Sequence, residues 1–90
     1  MDINGKEIDL SRVLPLKVKD WRELEKHGIT VAELQKESIE SFARFAKYCA
    51  SKGNDSITHD DINQLELEEL IAICNDFMPG KKDGEGTNFI

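Results

Sequence analysis

The sequence predicts a small α+β fold: an N-terminal β-hairpin, with room for a third strand, packed on a mostly helical bundle of about four helices. Three observations carry this. The opening "MDINGKEIDL" holds an Asn-Gly pair between short apolar positions, the rest of the chain repeats apolar residues at helical spacing, and a Thr-led helix start is written twice. A chain of 90 residues makes one domain and buries a modest share of its surface, so its stability margin is thin.

The hairpin is placed over about residues 1–10. Asn4 and Gly5 both tolerate positive φ, as a two-residue type I′ turn requires, and Ile8 and Leu10 alternate at strand period. A lone hairpin is marginal in water, so Ile3 and Ile8 need a cover. Leu14, Leu16 and Val18 also alternate, which would make "VLPLKVK" the third strand, with Pro15 suited to an edge.

Helices are expected over about 20–27, 31–51, 58–65 and 66–78. Asp20 is read as the cap of the first, Trp21 and Leu24 share a face, and Gly28 is placed to end it. Thr30 caps the second, with Glu33 as its capping-box partner and Ile29 and Leu34 as a hydrophobic staple. Its stripe is Leu34, Ile39, Phe42, Phe45, Ala46 and Cys49, with a bend expected near Ser38 where the pattern lapses. Ile57, Thr58, Asp61 and Ile62 repeat the same device for the third helix. The last helix shows Leu67, Leu70, Ile71, Cys74 and Phe77 as its stripe and stops at Pro79-Gly80. Residues 1–78 thus form the folded domain. The sequence 79–90, rich in Gly and charge, reads as a flexible tail, with Phe89 and Ile90 a faint sign of an anchor.

The net charge of −6 is unevenly spread, and no Lys or Arg occurs from Gly53 through Met78. That acidic half disfavours nucleic acid and anionic membrane as partners, and no apolar run approaches the ~20 residues of a membrane span. Cys49 and Cys74 fall among apolar residues and read best as reduced, buried hydrophobes, with a disulfide the alternative. No signal peptide opens the sequence, so an intracellular protein is expected.

Catalytic, metal and cofactor chemistry finds no pattern. His27 and His59 lack ligand spacing, the glycines form no phosphate loop, and no nucleophile stands beside a base. "NDSITHDDI" fails as a calcium loop, because Ala50 and Lys52 fall where ligands belong. No enzyme, cofactor or metal is expected. Trp21, Tyr48, Phe77 and Met78 are instead candidate partner contacts, since aromatic and Met side chains favour binding patches. Glu66, Glu68 and Glu69 are candidate acidic contacts for a basic surface.

"NGKEIDL", "LPLKVKDWRELEKHGI", "FARFAKYCA" and "ITHDDINQLELEELIAICNDF", in this order, resemble the small tail assembly chaperones of long-tailed bacteriophages. The similarity spans about residues 1–78. Leu16 to Gly28 matches that family's Leu-x-x-x-Asp-(Trp or Leu)-Arg-x-Leu-Glu-x-x-Gly pattern, and Ile57 to Leu70 matches its Thr-x-Asp-Asp and acidic helix. The resemblance implies a non-enzymatic protein of the host cell cytoplasm, absent from the mature virion. It would bind and solubilise the tape measure protein, assist recruitment of the tail tube protein, and act alone or as a homo-oligomer. It also implies a longer product made by ribosomal frameshifting, for which "GKK" at Gly80 to Lys82 is a suitable place. The competing reading is a structural virion protein, such as a head-tail connector or tail completion component.

Overall fold

A computed structural model describes residues 1–36 and 38–78. It is α+β, as the sequence predicts. Strands β1 (Asp2–Ile3) and β2 (Lys6–Glu7) pair antiparallel, and five helices follow. These are α1 (Val18–Lys26), α2 (Val31–Gln35), α3 (Ile39–Gly53), α4 (His59–Asn63) and α5 (Leu67–Phe77). The expectations for the sequence 79–90 lie outside the described residues.

The hairpin turns at Asn4 and Gly5, with φ of 52° and 81°, the left-handed pair that a type I′ turn needs. Ile3 and Ile8 point inward and are almost fully buried. Their cover is the C-terminal end of α3. The Asp9 N–H donates to the Gly53 carbonyl at 3.2 Å, and the Asn54 side-chain amide donates to the Glu7 carbonyl at 2.9 Å.

No third strand forms over Leu14–Val18. The Asp9 carboxylate accepts from the Ser11 N–H at 3.1 Å and from its hydroxyl at 2.7 Å, starting a 3-10 turn over Leu10–Arg12. Pro15 has no N–H to give a sheet, and α1 begins at Val18, whose side chain is 72% exposed. Local side-chain bonds to the backbone thus draw this segment away from the hairpin edge. Asp20 also differs from its expected place. It lies in the first turn of α1 rather than at the cap, accepting from the Lys17 N–H at 2.8 Å and from the Lys52 ammonium at 2.7 Å. Burial pushes its carboxyl up, but those two donors outweigh burial and leave it below the usual range. Gly28, at φ 81°, ends α1 as expected.

The expected long helix over 31–51 is two helices. The Ser38 hydroxyl accepts from the Ser41 N–H at 3.3 Å and caps α3, so the bend in the pattern is a break. Thr30 caps α2 at 3.1 Å, but Glu33 pairs with Lys36 at 3.4 Å instead of completing the box. The second device is the complete one. The Thr58 hydroxyl accepts from the Asp61 N–H at 3.2 Å while Asp61 accepts from the Thr58 N–H at 2.8 Å.

Asp61 does more than cap. It is buried, and it also accepts from the Lys6 ammonium and the Asn4 amide, each at 2.8 Å, tying the hairpin turn to α4. The Lys6 ammonium first, then Asn4 and the Thr58 N–H, hold its carboxyl far below the usual range. A lowered folded value means that the contribution is complete above the unfolded value of about 4 and fades as pH falls below it. Asp61→Asn is therefore expected to lower the urea midpoint at pH 7, with the gap to the wild type narrowing between about pH 4 and 2. A pH-independent gap in denaturation curves would contradict this.

Helix α3 is the centre of the molecule, packing on α5, α4, α2 and the 3-10 turn. Phe45, with 0% exposure, stacks on Trp21 with ring centroids 5.7 Å apart and meets the edge of Phe77 at 6.4 Å. Cys49 and Cys74 are free and buried, and the Cys74 thiol donates to the Phe42 carbonyl at 3.3 Å. Burial pushes the Cys74 thiol up to about 12 and Cys49 higher still, so neither is a ready thiolate at neutral pH.

Candidate functional site

Two surface features stand out, one apolar and one cationic. The apolar one lies on α5. The sequence stripe of this helix is rotated in the fold: Leu70, Ile73, Cys74 and Phe77 are buried, while Leu67 is 50% and Ile71 38% exposed. Ile73 takes the inward place assigned to Ile71, because the packing on α3 decides which side of α5 faces the core. Leu67 and Ile71 are one turn apart and share a flank of the helix. Among the described residues the other large exposed apolar side chains, Val18, Val31 and Ile39, occur one to a helix, at the first residue of α1, α2 and α3. Such isolated exposures are ordinary, whereas a pair on one helix flank makes a ridge.

The ridge has acidic neighbours. Glu66, Glu68 and Glu69 are all exposed around the N-terminus of α5. Glu69 is partly engaged, its carboxylate accepting from the Glu66 N–H at 2.8 Å. Negative charge here suits the helix dipole, so these acids serve the helix as well as any partner.

The expected aromatic contacts divide. Phe77 and Met78 are core side chains, 1% and 8% exposed, and so are not surface contacts in this fold. A small core with few aromatic rings uses Phe77 as the edge partner of Phe45. Trp21 and Tyr48 are half-buried, Trp21 against Phe45 and Tyr48 with the Lys52 ammonium 5.8 Å from its ring centre. Burial pushes the Tyr48 phenol up, so it stays protonated and a donor.

The cationic feature is a cavity of about 290 Å³ lined by His27, Ile29, Arg44, Lys47, Tyr48 and His59. Three elements build it. His27 is the C-cap of α1, and the turn at Gly28 carries the chain back so that Ile29 enters the core. Arg44 of α3 donates to the His27 carbonyl at 2.5 Å, fastening the end of α1 to α3. His59 opens α4 next to its Thr58 cap. Nothing in the sequence spacing joins the two histidines, and only the packing of α1 and α4 on α3 brings them to one cavity.

Protein-family models, curated proteins and solved structures give no match to the chain. Among the described residues no group of three His, Cys, Asp or Glu could hold a metal ion, and no helix is long and apolar enough to cross a membrane.

Proposed function

We propose that this protein is a non-enzymatic tail assembly chaperone that binds a helical segment of a tape measure protein in the host cytoplasm and assists recruitment of tail tube subunits. The observation that carries the reading is the Leu67–Ile71 ridge, an apolar pair left on the flank of a helix whose other large apolar side chains are buried. An amphipathic client helix would lay its apolar stripe on that ridge, and Lys or Arg beside the stripe would face Glu66 and Glu68. Order-of-magnitude arithmetic favours several weak contacts over one strong one. Two half-exposed aliphatics contribute roughly 1–3 kcal/mol when covered, so many copies along a long client are needed for lasting binding.

The resemblance over residues 1–78 supplies the client's identity. Co-expression with fragments of the tape measure protein tests it. A fragment that is insoluble alone is expected to enter the soluble fraction only with this protein. A fragment that stays insoluble beside well-folded protein overturns the reading and favours the structural virion role.

A further inference from the structure

We infer that the cavity between the end of α1, α3 and the start of α4 binds a phosphate-class oxyanion, free or as a small monoester. Arg44, Lys47, His27, His59 and Tyr48 reach it from three elements, and no carboxylate lines it. The guanidinium, ammonium and phenol are N–H or O–H donors, and each imidazole offers at least one more.

Two of these groups already have an acid beside them. Glu23 stands 3.6 Å from His27 Nε2, and Glu40 stands 4.0 Å from Arg44 Nε, both outside the lining. Arg44 also spends one nitrogen on the His27 carbonyl. The side chains of Lys47 and His59 have no ion-pair or hydrogen-bond partner among the described residues. Lys47 is half-buried and lines the same cavity as Arg44, so two cationic side chains share its wall with no carboxylate between them. An anion in the cavity would be attracted by both.

The chemistry selects among ligands. A divalent cation is repelled by Arg44 and Lys47 and finds no third ligand among the described residues. A phosphate monoester offers three strong acceptor oxygens, against two on a carboxylate, and so answers more of the converging donors. Ile29 and the Tyr48 ring supply an apolar wall for an ester group. The cavity of about 290 Å³ lies at the small end of ligand sites, which favours a compact molecule.

The test is an amide chemical-shift titration of the full chain at constant pH and ionic strength in a phosphate-free buffer, with inorganic phosphate, phenyl phosphate and acetate. Saturable shifts confined to the backbone around His27, Arg44 to Tyr48 and His59 are expected with the phosphates. Lys47→Gln and His59→Gln should each weaken binding about tenfold, the effect of losing one charge-assisted bond, while Lys36→Gln on α2's far end leaves it unchanged. The Lys47 side chain makes no hydrogen bond among the described residues, and the same spectra verify that the variants stay folded. Tighter phenyl phosphate identifies an organic monoester, and equal affinity identifies free phosphate. The inference is overturned by unsaturable shifts with both phosphates, by acetate binding as tightly, or by full affinity in Lys47→Gln.

Discussion

Phe45→Ala is expected to destabilise the protein by about 3–5 kcal/mol, the usual cost of emptying a buried aromatic site. Phe45 has 0% exposure and stands between Trp21, stacked at 5.7 Å, and Phe77, edge-on at 6.4 Å. It therefore joins α1, α3 and α5 through one ring. Alanine loses the buried area and both ring contacts, and it leaves a hole that three separate helices would have to close. A domain of this size holds only roughly 5–13 kcal/mol in total, so about a quarter or more of its stability is at stake. Urea denaturation would show a lower midpoint with an unchanged slope, because the surface exposed on unfolding hardly changes. A midpoint within experimental error of the wild type would mean that Phe45 is not the link between these helices.

Gly53→Ala sets two effects of opposite sign against each other. Gly53 is the last residue of α3, where alanine gains about 1 kcal/mol in helix propensity. A Cβ there would lie 2.6 Å from Ile8 Cγ2, 2.9 Å from the Asp9 carbonyl oxygen and 3.0 Å from the Asp9 nitrogen. Two of those atoms are backbone and cannot rotate aside. The hairpin would have to move, stretching the bond from the Asp9 N–H to the Gly53 carbonyl. Overpacking costs about 1–3 kcal/mol and a weakened hydrogen bond about 1 kcal/mol more, so the clash prevails. A lower melting temperature, by several degrees, is expected. A raised one would show that the hairpin is not seated on α3.

What the sequence made legible is what residues decide among near neighbours. Asn4-Gly5, Gly28, Thr30 and Thr58 each act on backbone within a few positions, and each acts in the fold as its local chemistry predicts. Even so, the box with Asp61 is complete and the one with Glu33 is not. Asp61 is held in place by Lys6 and Asn4, far away in sequence, while Glu33 is free to turn to Lys36.

Readings that depended on distant packing fared differently. Alternation at Leu14, Leu16 and Val18 looked like a strand because periodicity cannot see the cap at Asp9 or the bond from the Lys17 N–H to Asp20. On α5 the composition allows more than one inward face, and the packing on α3 selected Ile73 over Ile71. That rotation left Leu67 and Ile71 on the surface. The cavity had no sequence signature at all, since His27 and His59 meet only through α3.

The most direct measurement is sedimentation velocity of the protein mixed with a soluble tape measure fragment, beside a Leu67→Ser and Ile71→Ser double variant. Both side chains are substantially exposed, so the variant should fold as the wild type does. Co-sedimentation of the wild type with the fragment, lost in the double variant, is the result predicted by a ridge that binds the client. Equal co-sedimentation of the folded double variant would place any client elsewhere, and independent sedimentation of both proteins would contradict the chaperone reading itself.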